Sequence, residues 1–189
     1  SRSQIITASS IGTMLEWYDF SLFAFLTPLL ATKFFPMENE LGSLMLTYAV
    51  FAIGFLVRPI GAAIFGHFGD KFGRKKTLVF SILLMSIPTF VMGLLPTYQQ
   101  IGMLAPILLI FLRICQGLSA GGESTGALLF VMESNAYRYR GFIGGLLWAV
   151  ISVGMLLGSF AAMLVIQHPE YTWLWRVPFL LGLLTGLVG

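Results

Sequence analysis

The sequence predicts an all-helical transmembrane protein, a bundle of six helices, and three observations carry that expectation. Of its 189 residues, 57% are hydrophobic and 10% charged, with a mean hydropathy of +0.88, whereas a soluble domain carries about 25% charged residues. Apolar runs long enough to cross the ~30 Å hydrocarbon core of a bilayer recur along the chain. These runs are apolar on every side rather than alternating with the period of a membrane strand, which selects helices over a β-barrel. The 17 Phe, 21 Gly and eight acidic residues exclude a disordered or acidic-tail protein. The single cysteine, Cys115, has no partner for an intrachain disulfide or a cysteine metal site, and neither a metal nor a cofactor is expected.

The helices are expected at about 5–30, 42–65, 77–95, 101–131, 142–166 and 175–189, forming one domain over 1–189. The first run is too long for a signal-peptide core, and no convincing cleavage site follows it. The last has 15 residues, about 22 Å of helix, so the chain is expected to stop inside an incomplete sixth helix. Loop charges orient the bundle. Arg2, the cluster Lys71, Arg74, Lys75 and Lys76, and the pair Arg138 and Arg140 fall on one side; Lys33 and Arg176 share the other with Glu38, Glu40 and Glu170. The positive-inside rule then places the N-terminus in the cytoplasm. The net charge of +3 therefore reads as a topology signal, and no nucleic-acid partner is expected.

Polar residues within the apolar runs are the candidate functional groups, because each is costly in lipid. Glu16 and Asp19 in the first run share a helical face near mid-membrane and are candidate proton carriers; a pair held permanently ionised by a cation or hydrogen bonds is the structural alternative. In the fourth run Arg113, Gln116, Ala120 and Glu123 also share a face. Arg113 keeps its proton there and needs a carboxylate, carbonyls or an anionic ligand; Glu16 or Asp19 lies at comparable depth. Arg58, followed by Pro59, sits near enough to the cytoplasmic end of its run to snorkel to the surface. Small residues recur at spacing four, Gly117, Gly121 and Thr125, then Gly154, Gly158 and Ala162, as closely packed membrane helices require.

The stretch Gly66-His67-Phe68-Gly69-Asp70-Lys71-Phe72-Gly73-Arg74-Lys75-Lys76 resembles the signature loop between helices two and three of the major facilitator superfamily. The run Arg113-Ile114-Cys115-Gln116-Gly117-Leu118-Ser119-Ala120-Gly121 is similar to that superfamily's fourth-helix motif. Glu16-Trp17-Tyr18-Asp19-Phe20, Arg58-Pro59-Ile60-Gly61, Gln116 to Glu123 and Trp175-Arg176-Val177-Pro178-Phe179 resemble the metabolite:proton symporters within it. The resemblance implies the N-terminal six-helix half of such a carrier, made of two inverted three-helix repeats and lacking its C-terminal half. It further implies a multi-pass protein of the bacterial inner membrane, importing a small organic acid or zwitterion with protons by alternating access. Glu16 and Asp19 would carry protons, and Arg113, Gln116, Tyr18 and Glu123 would contact substrate. Gly66, Asp70, Gly73, Arg74, Lys75, Glu133 and Arg140 would form a cytoplasmic latch.

Three alternatives compete. A facilitative carrier or exchanger would use the same cavity without the proton. A six-helix chain would instead pair as a homodimer through its cavity face. Gly117-Leu118-Ser119-Ala120-Gly121 also fits the G-x-S-x-G pattern of serine hydrolases, but His67 and His168 lie in connections away from Ser119, so an enzyme is not expected.

Overall fold

A computed structural model describes residues 2–134 and 140–188, with side chains described outside 2–9, 74–75, 78, 123–134, 140, 142–143, 147 and 184–188. Every regular element among them is helical: α1 Arg2–Phe34, α2 Glu40–Leu56, α3 Arg58–Phe72, α4 Arg74–Leu94, α5 Tyr98–Ile101, α6 Leu104–Ser134, α7 Arg140–Gln167 and α8 Arg176–Val188. Asn39 starts α2, its side chain accepting from the Leu41 N–H at 3.1 Å and so satisfying one of the unpaired donors of the first turn. Between α2 and α3 only Val57 intervenes. Pro59 in the first turn of α3 has no N–H to give the preceding turn, so one long membrane helix breaks in the middle.

The glycine-rich stretch expected as a loop is mostly helix. Phe65, Phe68 and Phe72 recur at helical spacing, the last two rings lying 5.7 Å apart, and α3 runs on to Phe72. Gly73 alone joins it to α4, at φ 93°, a conformation that costs glycine little and a side chain much. The short α5 carries a capping box between Thr97 and Gln100, and Gly102 at φ 59° turns the chain into α6.

Among the described residues, three helical stretches are long and apolar enough to cross a membrane, Glu40–Phe72, Leu104–Gly122 and Gly144–Gln167, with Val79–Leu94 a shorter apolar helix. Helix α1 has 33 residues, but Glu16, Trp17, Tyr18 and Asp19 sit in its interior and lower its hydropathy.

α1 packs most extensively on α7, α6 on α2 and α3, and α4 on α8. Exchanging the first three membrane helices (α1, α2 with α3, α4) for the last three (α6, α7, α8) maps the first of these contacts onto the second, as an inverted repeat requires. Tyr48-Ala49-Val50-Phe51-Ala52-Ile53-Gly54 and Trp148-Ala149-Val150-Ile151-Ser152-Val153-Gly154 keep the trace of that repeat in sequence. Both contacts depend on missing side chains. A Cβ at Gly121 would strike the Arg58 carbonyl and one at Gly117 the Gly54 carbonyl, while Gly154 and Gly158 lie against the Met14 and Tyr18 carbonyls. Backbones that close hold α1, α2, α3 and α6 around one core, in which Leu22, Phe23, Leu26, Leu109 and Phe179 are fully or nearly fully buried.

Candidate functional site

The chemistry of this core lies on one face of α1. Glu16, Asp19, Phe20 and Phe23 follow one another at helical spacing, and all four are buried. Asp19 meets Arg113 of α6: Arg113 Nη1 donates to Asp19 Oδ2 at 2.9 Å. The same nitrogen donates to Gln116 Oε1 at 2.9 Å, and Gln116 Nε2 donates to Thr89 Oγ1 of α4 at 2.7 Å. The Thr89 hydroxyl in turn donates to the Met85 carbonyl at 2.9 Å. Three membrane helices are thus tied by one polar chain. Arg113 Nε and Nη2 have no hydrogen-bond acceptor among the described residues; aromatic rings surround them instead, with the guanidinium carbon 4.0 Å from the Phe23 centroid, 5.0 Å from Phe20 and 5.4 Å from Phe51. Ring faces are negative and hold a cation where no water reaches it. Arg113 and Asp19 are both sealed, with side-chain exposures of 0% and 2%.

Glu16, one turn away, takes a different partner. Arg58 Nη2 lies 3.0 Å from Glu16 Oε1, the carboxylate fully buried and the arginine side chain 20% exposed. The guanidinium carbon sits 4.2 Å from the Phe20 centroid, 4.5 Å from Phe55 and 5.9 Å from Trp17. The expectation that Arg58 snorkels to the surface is therefore overturned. A buried carboxylate and two ring faces hold it inward, and Arg58 is the first residue of α3, just after the interruption at Val57. Phe20 lies between the two arginines and contacts both.

The other expected site residues are distributed as follows. Gln116 is in the Asp19 network, and Tyr18 donates its hydroxyl to the Pro178 carbonyl of α8 at 2.9 Å. Gly66 and Asp70 are exposed near the end of α3, beside Gly73. The side chains of Glu123, Arg74, Lys75, Glu133 and Arg140 lie outside the described residues. Ser119 is buried and donates to the Ser81 carbonyl, while His67 is exposed on α3 and His168 is exposed just after α7. A crevice no larger than a water molecule opens beside Thr89 between Tyr18, Ser86 and Gly182. In the connection before α8, His168 Nδ1 lies 3.1 Å from Glu170 Oε1 with both side chains more than half exposed. Backbone hydrogen bonding first, and His168 second, hold the Glu170 carboxyl below the usual range.

Sequence reasoning singled out Glu16, Asp19 and Arg113 but left the partner of Arg113 open. It missed Thr89 and the ring residues Phe20, Phe23, Phe51 and Phe55. A threonine or phenylalanine inside an apolar helix gives no local signal, although an arginine followed by proline in such a run was a signal for Arg58.

The bundle thus holds two arginine–carboxylate pairs where its central helices meet. The family model "Sugar (and other) transporter" matches residues 5–189, and the chain belongs to that family of the major facilitator superfamily. It is 42% identical over 188 residues to the glycine betaine/proline/ectoine/pipecolic acid transporter OusA of Dickeya dadantii, covering 97% of this chain and 38% of that protein. It is 41% identical over 188 residues to the proline/betaine transporter of Escherichia coli K12, with the same shares. The chain thus spans about two fifths of the length of these relatives. The inward-open xylose transporter XylE of E. coli has the same fold, with a TM-score of 0.81 at 20% identity over 99% of this chain and 46% of that one.

Proposed function

We propose that this chain is the N-terminal half of a proton-coupled secondary carrier of the bacterial inner membrane, with its N-terminus in the cytoplasm, that imports a small zwitterion such as proline or a betaine. The observation that carries the reading is the sealed Asp19–Arg113 pair joining α1 to α6. Two helices held by opposite charges in a dry core separate only if one charge is removed, and the carboxylate is the member that can take up a proton. Protonation of Asp19 then releases Arg113 and loosens α1 from α6, which biases one of two conformations as alternating access requires. The Gln116–Thr89 link carries the polar chain from the pair to α4. The substrate class follows from the relatives, which are proline and betaine transporters, and from a site with as many cations as carboxylates. Arg113, fully buried and caged by rings, acts on helix position rather than on substrate. The latch residues Asp70, Arg74 and Glu133 would close the cytoplasmic end.

The test is uptake of radiolabelled proline and glycine betaine into proteoliposomes carrying the full transporter, with and without an inward proton gradient. Accumulation should require the gradient in wild type, and Asp19→Asn should abolish accumulation while sparing downhill exchange. Accumulation that ignores both the gradient and Asp19→Asn would refute the coupling role.

A further inference from the structure

The Asp19–Arg113 pair accounts for two of the four charges that meet at this face of α1. The remaining two, Glu16 and Arg58, have no place in a proton switch built on Asp19, and their surroundings differ in kind. Glu16 is fully buried on α1. Arg58 is the more exposed member, although its Nε and Nη2 atoms are themselves buried. Its side chain is partly exposed, starts at a helix break, and has a buried Nε with no hydrogen-bond acceptor among the described residues. What surrounds its guanidinium is a carboxylate at 3.0 Å and ring faces at 4.2, 4.5 and 5.9 Å. That set of groups, one anion and several π faces, is the recognition chemistry of an alkylammonium or quaternary ammonium group.

From this geometry we infer that Glu16, Phe20 and Phe55 form a seat for the cationic nitrogen of the substrate, which Arg58 fills in the empty carrier. The substrate enters by exchange. Its ammonium takes the place of the guanidinium against Glu16 and the rings, and Arg58, displaced toward its exposed side, takes the substrate carboxylate. Charge balances at each stage: one ion pair and a free zwitterion become two ion pairs, with no charge left alone in the core. A neutral sugar offers Arg58 no counter-charge, and a dicarboxylate brings a second anion up to Glu16, so the seat selects zwitterions. Phe55 is 38% exposed and forms the outer wall, while Phe20, shared with Arg113, links seat occupancy to the sealed pair. This inference rests on the zwitterion reading above.

The experiment is direct binding to the purified full transporter, independent of transport. Glycine betaine is compared with 3,3-dimethylbutyrate, an isostere in which carbon replaces the charged nitrogen. Wild type should bind betaine at least tenfold more tightly than the isostere. Phe55→Leu should weaken betaine by about tenfold and leave the isostere unchanged, and Phe55→Trp should restore the difference. Glu16→Gln should erase the discrimination, with circular dichroism and gel filtration checking that it folds. Equal binding of the two compounds by wild type, or discrimination indifferent to both Phe55 variants, overturns the seat. Discriminating binding without transport of betaine would leave the seat standing and refute the transport reading instead.

Discussion

The two ion pairs leave one face of α1 a single turn apart, yet they are enclosed differently. Asp19–Arg113 is closed on all sides by Phe23, Phe51, Gln116 and Thr89, and neither partner has an appreciable exposed surface. Glu16–Arg58 has one fully buried member and one whose side chain is 20% exposed, beside the helix break at Val57. A pair without access to solvent changes only when a proton reaches it, whereas a pair with one partly exposed partner can be opened by a competing ion. The same residue types, at neighbouring positions of one helix, therefore acquire different chemistry from burial alone. The third pair, His168–Glu170, lies in water and marks the other end of this scale.

That contrast predicts a graded response to charge removal. The largest effect should follow Arg113→Gln, which leaves Asp19 uncompensated in a dry site at a cost of about 3–5 kcal/mol, read as a lower thermal midpoint in detergent. Adding Asp19→Asn should recover much of that stability without recovering gradient-driven accumulation; no recovery would mean that the pair is not an isolated unit. Arg58→Gln should cost less, because the Arg58 side chain is 20% exposed whereas that of Arg113 is fully buried, while weakening substrate binding more than Arg113→Gln does. Equal stability losses for Arg58→Gln and Arg113→Gln would erase the distinction between the two sites. Thr89→Val takes away the acceptor of Gln116 Nε2 and should cost about 1–3 kcal/mol and reduce accumulation, with Thr89→Ser restoring both.

At the bottom of the scale, Glu170→Gln should leave both stability and uptake at neutral pH unchanged within error. The sign of its small contribution is set by its lowered pKa: it is present above the ordinary carboxylate range and fades as pH falls through the folded-state value. Solvent screening keeps it small. A drop in thermal midpoint with this variant would show that the connection before α8 is less exposed than the structure has it.

Much of this architecture was legible in the chain. The composition and six apolar runs gave a helical membrane protein, and the glycines at spacing four in the fourth and fifth runs mark where α6 meets α2 and α3 and where α7 meets α1. Glu16, Asp19 and Arg113 stand out in sequence because charges are expensive in lipid. Their pairing was not legible, since helical periodicity reports which residues share a face but not which other helix that face meets. Arg58 shows the limit most plainly. Its distance along the second run allowed the surface, and only the break at Val57 together with the rings of Phe20 and Phe55 turned it inward. Likewise, the stretch from Gly66 to Lys76 reads as a loop from its glycines and charges, yet the apolar spacing of Phe65, Phe68 and Phe72 carries α3 through most of it.

Sequence by itself determined the class of the molecule: a helical membrane bundle with too many intramembrane charges to be a passive anchor, because hydropathy and the cost of burying charge are local properties that each segment carries with it. Tertiary structure alone decided which carboxylate met which arginine, and that one pair would be sealed and the other left open. Those outcomes depend on distances between helices, and the distances are set by glycine contacts and ring packing between segments far apart in the chain.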